Sequence, residues 1–372
     1  MPGQMSEISW YSIHNIEDID TPALVLYKSR IQSNIKKALS LVRQPGDLRP
    51  HVKTNKISEV CQLMMEAGIQ KFKCATIAEA EMLGMLGAPD VLLAYQPVGP
   101  KMERLFQLAK KYPRTLFSCL LDDLHAAYSL SKIFSSAGEQ IAVFIDLNVG
   151  MNRSGIKPGE AVSFFKELQS CKGLRVTGLH IYDGHINDPE LASRQFRSDK
   201  LYSEVETILK EIQALMHLRL VIVAGGSTTF ATHVRRQAEC SPGTFVFWDW
   251  NYMHLLPEAP FELAALVITR ICSIVDQNTV TLDLGHKSVA AENPLPRVHF
   301  LNVPAAVPIA QSEEHLVVQV PDSAVYRVGE VWYGVPVHIC PTVALYEEAQ
   351  VVEDHQVTTT WKVLARDKKI TI

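Results

Sequence analysis

The chain has 372 residues, of which 47% are hydrophobic, enough for a large core and more than one domain. The 36 Lys and Arg residues against 40 Asp and Glu residues give a formal net charge of -4, which excludes the basic face that a nucleic-acid partner requires. No apolar stretch reaches the ~18 residues that cross a bilayer, Met1–Trp10 lacks a secretory pattern, and the seven Cys are scattered, so we expect a cytoplasmic protein with reduced thiols and no membrane partner.

From Thr21 to Phe247, short apolar runs alternate with amphipathic stretches, which is typical of parallel strands joined by helices. The predicted strands are Ala23–Tyr27, Arg49–Lys53, Phe72–Thr76, Val91–Tyr95, Thr115–Leu120, Ile141–Leu147, Val176–Tyr182, Leu218–Ala224 and Thr244–Phe247. A (β/α)8 barrel needs eight strands, so one of these runs must lie outside it. Predicted helical segments between them include the face formed by Ile31, Ile35, Ala38, Leu39 and Val42, and Glu79–Leu83, which ends at the turn Gly87–Asp90.

Beyond Pro260 the pattern changes to β-branched runs separated by turns, with little helical periodicity between them. The predicted strands are Val267–Val275, Thr279–Leu284, Leu316–Val320, Val335–Cys340 and Thr358–Leu364. These runs indicate a separate antiparallel β domain. The Pro257–Pro260 segment is the predicted hinge.

Lys53 stands at the end of a predicted strand, within Arg49-Pro50-His51-Val52-Lys53-Thr54-Asn55-Lys56. The C-terminal ends of the strands are where a parallel barrel gathers its catalytic loops. Desolvation there lowers the pKa of a lysine and makes its amine nucleophilic enough to form a Schiff base. On position alone an ordinary rim lysine is the simpler interpretation, and Lys56 is a competitor that we expect to be more solvated.

Pyridoxal 5′-phosphate (PLP) needs a phosphate cradle, a partner for its phenolic oxygen and a residue against its ring. Gly225-Gly226-Ser227-Thr228-Thr229 follows a predicted strand and offers backbone N–H groups and hydroxyls to a phosphate. Ser241-Pro242-Gly243-Thr244, which is predicted to open the next strand, could complete the cradle. Arg153 could donate to the phenolic oxygen, and Tyr182 could lie against the ring. Taken singly, a tight turn, a surface arginine and a core tyrosine explain these features as well.

Jointly, the motifs resemble the fold-type III PLP enzymes, the alanine racemase-like class, and within it the D-serine dehydratase / D-threonine aldolase family. The resemblance covers nearly the whole chain and rests on Asp20–Leu24, Pro50–Thr54, Ala75–Glu81, Gly150–Gly155, Gly225–Thr228, Ser241–Thr244, Ser312–His315 and Pro336–Val343. It implies a PLP-binding (β/α)8 barrel over residues 28–256 and a C-terminal antiparallel β domain over residues 257–372, joined by N-terminal residues 1–27.

The same resemblance implies roles for particular residues. The residues that would hold PLP are Lys53, Arg153, Tyr182, Gly225, Gly226, Ser227, Thr228, Gly243 and Thr244. Similar enzymes are head-to-tail homodimers, in which Asp283–Lys287 would face the partner's cofactor. Two departures argue against a racemase: Ser241 stands where alanine racemases have the arginine that meets the pyridine nitrogen, and Val337 where they have a tyrosine.

His338-Ile339-Cys340 falls in a predicted strand, so the His338 and Cys340 side chains would share one face. An imidazole and a thiolate suit Zn²⁺, although on spacing alone a packed histidine and a buried cysteine are the better explanation. The resemblance implies that both residues bind zinc close to the cofactor. Related aldolases usually carry Asp at the second position, which would favour the harder Mn²⁺, so Cys340 favours the dehydratase branch.

The resemblance therefore implies a PLP- and metal-dependent lyase acting on a small-molecule 3-hydroxy D-amino acid. D-serine dehydratase, which gives pyruvate and ammonia, is the favoured reading, with Lys53 as the α-proton base. D-threonine aldolase, which gives glycine and an aldehyde, is the alternative, and an amino-acid racemase is disfavoured. A PLP-carrier protein is disfavoured as well, because such proteins lack the β domain.

Overall fold

The computed structural model describes residues 9–216 and 219–372. Most of the Met1–Trp10 segment and the first residue of the predicted strand Leu218–Ala224 lie outside the described residues. The chain forms two compact units. The barrel unit comprises residues 35–245, 254–260 and 364–372, and the β unit comprises residues 9–34, 246–253 and 261–363. The domain boundaries inferred from the sequence stay a prediction.

The described helices are mostly amphipathic connections between strands. None of them is both long and apolar enough to cross a membrane. The predicted face of the first helix is confirmed, because Ile31, Ile35 and Ala38 are buried. The helices are α1 (Lys28–Leu41), α2 (Ser58–Glu66), α3 (Ile77–Met85), α4 (Pro100–Lys111), α5 (Leu124–Ser136), α6 (Ala161–Leu168), α7 (Leu191–Met216), α8 (Phe230–His233), α9 (Trp250–Leu255) and α10 (Ile339–Val343).

β1 (Ala23–Tyr27) belongs to the β unit, and the barrel unit holds a parallel sheet whose strands neighbour one another in chain order. Its strands are β2 (Lys71–Cys74), β3 (Asp90–Leu93), β4 (Leu116–Leu121), β5 (Ile141–Leu147), β6 (Leu174–Ile181), β7 (Val221–Ala224) and β8 (Glu239–Cys240). Apolar side chains fill the interior, including Leu92, Leu120, Phe144 and Val223.

Residues 48–52 close this sheet into a ring. The Arg49 N–H donates to the Cys240 carbonyl oxygen of β8 at 2.8 Å, and the Val52 N–H donates to the Lys73 carbonyl oxygen of β2 at 2.9 Å. The segment forms only isolated bridges instead of the predicted strand Arg49–Lys53, because Pro50 has no N–H to donate and a turn begins at Val52. It nevertheless takes the eighth position, so the predicted barrel fold is confirmed.

The predicted strand Thr244–Phe247 is wrong. The last strand of the barrel unit in chain order is β8, and Thr244–Val246 is a single 3-10 turn. The His51 N–H donates to the Pro242 carbonyl oxygen at 2.9 Å, and Pro242 has no N–H with which to continue the ladder. Ser241-Pro242-Gly243-Thr244 therefore follows a strand instead of opening one.

The β unit contains one largely antiparallel sheet. Its strands are β1, β9 (Ala265–Asp276), β10 (Thr279–Leu282), β11 (Val298–Phe300), β12 (Val307–Gln311), β13 (Leu316–Gln319), β14 (Val331–Pro336), β15 (Glu348–Glu353) and β16 (Gln356–Lys362). Their order is β12-β13-β10-β9-β1-β15-β16, with β14 also pairing with β9 and with β11. The prediction that Ala23–Tyr27 joins this sheet is confirmed, whereas β11, β12 and β15 had no counterpart among the predicted strands.

A buried ion-pair network lies at the N-terminal end of the barrel, where its members open their strands. Arg49 is 1% exposed and donates from Nη1 and Nη2 to the two Asp90 oxygens at 2.7 and 2.9 Å. Its Nε donates to Glu239 Oε2 at 2.7 Å, and Lys71 pairs with the other Glu239 oxygen. The guanidinium neutralises two poorly solvated carboxylates. Its removal would leave both of them charged and unpaired, which costs folding free energy.

Replacing Arg49 tests this network. We expect Arg49→Ala to lower the free energy of unfolding by about 3 kcal/mol, because it leaves two partly buried carboxylates without their shared cation. Arg43→Ala is the matched control, since Arg43 pairs with Asp47 at 3.1 Å with its own side chain 53% exposed, and should cost about 0.5 kcal/mol. Urea denaturation of both variants measures the difference, and equal losses would contradict this account.

Candidate active site

Lys53 lies at the C-terminal end of the barrel, in the turn that follows residues 48–52. Its side chain is exposed, whereas its neighbours Val52 and Thr54 are buried. Its backbone N–H donates to His51 Nδ1 at 3.3 Å, which ties the turn to the segment before it. The amine is therefore open to a ligand, and the expectation that surrounding barrel side chains desolvate it is wrong.

Lys56, the competing lysine, is engaged in an ion pair. Its ammonium forms an ion pair with Glu79, whose side chain is fully buried. The other Glu79 oxygen accepts from the Ala75 N–H at 2.6 Å, at the start of α3. Since Lys56 neutralises a buried carboxylate, it is the weaker candidate for reaction with an aldehyde.

The loop after β7 can be built only with glycine at its first position. Gly225 has φ +70°, and a Cβ there would lie 2.5 Å from His233 Cδ2 and 2.7 Å from Thr229 Oγ1. A Cβ on Gly226 would lie 3.1 Å from Tyr182 Cε2. Thr228, in the same loop, is buried, and its hydroxyl forms no hydrogen bond with a described residue. The loop thus presents backbone and hydroxyl groups with no side chain in the way.

The loop after β8 meets the loop after β7. The Thr244 N–H donates to Ser227 Oγ at 3.4 Å. A Cβ on Gly243 would lie 2.9 Å from the His51 carbonyl oxygen and 3.0 Å from Thr54 Oγ1, so the backbone approaches the Lys53 turn closely. The predicted phosphate residues and Lys53 therefore belong to one continuous rim.

A buried carboxylate fixes the first of these loops from behind. Asp183 is fully buried and accepts from Thr229 Oγ1 at 2.7 Å and from His233 Nε2 at 2.9 Å. Arg236 donates to His233 Nδ1 at 2.9 Å, which assigns the imidazole proton to Nε2. The sequence analysis did not identify this support, although the pairing of a histidine with an acidic residue after β6 becomes evident once the strands are in register.

Arg153 and Tyr182 lie next to each other. The Arg153 guanidinium carbon lies 4.7 Å from the centre of the Tyr182 ring. The Arg153 loop is fixed by Ser154, whose Oγ donates to Asp146 Oδ2 at 2.9 Å, and by Gly155, whose N–H donates to Asp122 Oδ2 at 2.8 Å. With Tyr182 against Gly226, the contacts run from Arg153 along the rim to the two loops.

Among the buried polar atoms that lack a hydrogen-bond partner in the described part of the chain, two lie on β6 and directly after β8. One is His180 Nε2, whose ring is held by Nδ1 against Asp146 Oδ1 at 2.7 Å. The other is Ser241 Oγ, on a residue that is 3% exposed. Buried polar groups normally find a partner, so both atoms point to a ligand with polar groups. Asp146 and His180 were missed at first, although a charged residue within an apolar strand run is a signal that could have found them.

The barrel residues fit PLP. They combine an exposed lysine amine, two glycine loops that leave no room for a Cβ, hydroxyls on Ser227 and Thr228, and an arginine beside an aromatic ring. A phosphate, an aldehyde and a phenolic oxygen are the groups that this donor set would bind.

His338 and Cys340, in the β unit, do not lie in a strand. β14 ends at Pro336, and His338 is the extended N-cap residue of α10. The helix begins there because Pro341 fits its first turn, where no backbone N–H is needed, and because Asp249 Oδ2 accepts from the Ile339 N–H at 3.2 Å. Burial raises the pKa of Asp249 to about 6. The two side chains meet by a helix turn instead of by strand alternation.

Hydrogen bonds hold the His338 imidazole beside Cys340. Burial would lower the pKa of His338, but hydrogen bonding to Cys340 and to Glu292 outweighs it and raises the value to about 9. His338 Nδ1 lies 2.5 Å from Glu292 Oε1, which leaves Nε2 as the nitrogen for a metal. A carboxylate on the second ring nitrogen is a common partner of metal-binding histidines. No group of three or more His, Cys, Asp or Glu side chains suited to a metal occurs among residues 9–216 and 219–372.

Two family models match the chain. Residues 27–249, more than half of the chain, match the N-terminal domain of alanine racemase, and residues 264–352 match a putative serine dehydratase domain. The sequence is 28% identical to D-threonine aldolase of Arthrobacter sp., over 94% of this chain and 93% of that protein. It is 24% identical to D-threo-3-hydroxyaspartate dehydratase of Delftia sp., over 93% of this chain and 97% of that protein. The crystal structure of D-threonine aldolase from Filomicrobium marinum is similar at 28% identity, with a TM-score of 0.85 over 94% of this chain and 96% of that chain.

The packing of the glycine loop gives a direct test. Gly225 and Gly138 have φ of +70° and +72°, but a Cβ on Gly138 meets no atom within 4 Å. We expect Gly138→Ala to cost about 1 kcal/mol from the backbone alone, and Gly225→Ala about 3 kcal/mol because the methyl group also collides with His233. Thermal unfolding of the two variants measures the difference, and similar costs would show that the Gly225 loop is not tightly packed.

Proposed function

Because the chain belongs to the alanine racemase N-terminal domain family, we propose that Lys53 bonds to PLP and that the enzyme cleaves 3-hydroxy D-amino acids with the help of a divalent metal. The chain is a PLP-dependent lyase of the group that acts on D-amino acids. The observation that carries the finer proposal is the open Lys53 amine beside two glycine loops that leave no room for side chains.

Different barrel residues would bind different groups of the cofactor. The backbone of Gly225 and Gly226, with the hydroxyls of Ser227 and Thr228, would hold the phosphate together with Gly243 and Thr244. Arg153 would donate to the phenolic oxygen, and Tyr182 would lie against the ring. When bound, PLP supplies an electron sink that stabilises negative charge on the substrate Cα.

Lys53 would carry the proton transfer. An exposed amine on a turn is free to swing toward a substrate, and its uncharged form would take the α-proton at Nζ. The backbone hydrogen bond of Lys53 to His51 and the burial of its two neighbours restrict that motion to the side chain. Arg153, held over Tyr182, would keep one side of the site filled and limit access of water.

His338 and Cys340 would hold the metal, Zn²⁺ or alternatively Mn²⁺. Imidazole and thiolate are suitable ligands for zinc, and Glu292 would orient the imidazole through Nδ1. Two protein ligands leave positions open for substrate and water. When bound, the ion supplies a Lewis acid for a substrate hydroxyl.

Two reactions fit this site, and they differ in the bond that breaks. Cys340, which the family resemblance associates with the dehydratase branch, favours D-serine dehydration to pyruvate and ammonia. The similarity to D-threonine aldolases over nearly the whole chain favours the second candidate, cleavage of D-threonine to glycine and an aldehyde. Racemisation is disfavoured by Ser241.

The localisation and the oligomeric state of the enzyme also stay predictions. We propose a cytoplasmic homodimer in which Asp283–Lys287 faces the partner's cofactor. No disulfide joins the described cysteines, as reduced thiols require. Asp283 is anchored within its own unit, because its Oδ1 accepts from the Arg270 N–H at 2.9 Å. His286 and Lys287 are exposed, and the Lys287 ammonium pairs with Glu313 and Glu314.

Reductive trapping identifies the lysine. We expect borohydride treatment of the PLP-loaded protein to leave a stable pyridoxyl group on Lys53, because that residue is exposed and its turn packs against the Gly243 loop. Peptide mapping by mass spectrometry locates the group and needs no variant. A label on Lys56 or on Lys73 would contradict the proposal.

Metal removal and product analysis test the reaction. We expect EDTA, with metal loss verified by elemental analysis, to abolish pyruvate formation from D-serine, and Zn²⁺ to restore it. Cys340→Ala should weaken Zn²⁺ binding at least tenfold, while the exposed Cys272→Ala is the control that keeps it. Full activity after verified metal loss would rule out the metal. Glycine from D-threonine without pyruvate from D-serine would assign the aldolase instead.

A further inference from the structure

We propose that Lys73, inside the barrel, accepts the proton that Lys53 gives up when it bonds to PLP. Lys73 would act only through Lys53 and is therefore a positioning residue, not a group that touches the substrate. The inference rests on the proposed function, in which Lys53 reacts with the cofactor aldehyde.

Lys73 lies in the barrel interior, next to the segment that carries Lys53. It belongs to β2, is 2% exposed, and pairs with His51 in a parallel bridge. Side chains alternate along a strand, so Lys73 faces the same side as Lys71, which reaches Glu239 in the ion-pair network of the interior. The Lys73 carbonyl oxygen accepts from the Val52 N–H at 2.9 Å, so Lys73 lies directly beside the turn that carries Lys53.

The Lys73 amine has no direct counter-ion. No hydrogen bond joins its Nζ to any residue in the described part of the chain. The nearby Asp146 accepts from Ser154 and contacts His180, so both of its oxygens are engaged, at 2.9 and 2.7 Å. The Asp183 oxygens are likewise taken by Thr229 and His233. Burial makes protonation of such an unpaired amine unfavourable while Lys53 is charged. Once the Lys53 charge is lost, the nearby carboxylates favour protonation of Lys73.

The electrostatic surroundings set the direction of proton movement. Burial, with repulsion from Lys53, lowers the pKa of Lys73 to about 7. The charged and titratable groups that act on Lys73 from the surrounding elements are Arg49, His51, Lys53, Asp146, His180 and Asp183. β3, β4 and β7 contribute apolar side chains such as Leu92, Leu120 and Val223. Lys53 is thus the repelling charge that the reaction itself removes.

The step balances as follows. The Lys53 ammonium, the PLP aldehyde and the Lys73 amine give a C=N bond, one water and the Lys73 ammonium. Two of the three Lys53 protons leave in the water with the aldehyde oxygen, and the third moves to Lys73. The positive charge passes from the rim into the barrel, where Asp146 and Asp183 attract it. Above the pKa of Lys73, cofactor binding would then release no proton to solvent from this pair.

Proton counting tests this linkage without any assay of the loaded enzyme. PLP binding to apoenzyme is measured by calorimetry near pH 8 in two buffers of different ionisation enthalpy, and PLP affinity is followed over about one pH unit on either side. We expect Lys73→Met to release close to one proton more than wild type. For each pH unit, the PLP affinity of Lys73→Met should rise by about tenfold more than the affinity of the wild-type protein, because in the variant the Lys53 proton must go to solvent.

Two further variants separate proton acceptance from charge and from structure. Lys73→Arg keeps the charge but cannot take a proton, so it should behave like Lys73→Met. Lys71→Met, on the same strand and the same face, should release as few protons as wild type. Lys73→Gln replaces the Met variant if that protein does not fold.

The outcomes are distinct. Equal proton release by wild type and both Lys73 variants would overturn the inference, as would a loss of affinity in the variants that is the same at every pH. A Lys73→Arg protein that matches wild type would also overturn it. Failure of the wild-type protein to bind PLP at any pH would instead overturn the proposed function.

Discussion

The backbone of residues 48–52 hydrogen-bonds to β8 on one side and to β2 on the other, and the barrel depends on this closure. A segment held on both sides must alternate its side chains between the interior and the outer layer. Arg49 and His51 therefore face the same side, and Lys53 follows in the turn that begins at Val52. Arg49 neutralises carboxylates at one end, and Lys53 is left open at the other.

The barrel interior is unusual because polar and charged groups interrupt an apolar layer. Lys73, Asp146 and His180 come from three different strands, and all three side chains are buried. Burying them costs free energy unless they are paired or serve a ligand. Asp146 and His180 pair with each other, while His180 Nε2 has no hydrogen-bond partner among the described residues. Groups left in this state cluster at functional sites, where protonation changes with ligand binding.

The glycine loops show how close packing replaces side chains. A methyl group does not fit on Gly225 or on Gly243, and on Gly226 it would lie only 3.1 Å from the Tyr182 ring. Behind them, Asp183 and His233 fix the loop through buried hydrogen bonds, so the backbone groups need little reordering to bind a ligand. In the β unit, the N-cap position of His338 and its contact with Glu292 similarly hold an imidazole in one orientation.

The sequence by itself determined the barrel, the strand Ala23–Tyr27 in the second sheet, and the candidate motifs around Lys53, Gly225 and Gly243. These features are local: glycine at a sharp turn and apolar periodicity act within a few residues. Only the tertiary structure decided that β8 precedes Thr244 and that His338 begins a helix, because a backbone with a proline nearby can continue in either way until its partners are in place. It alone brought Lys73, Asp146 and His180 together, since the direction of each side chain follows from sheet register and ring closure, which no single run of residues encodes.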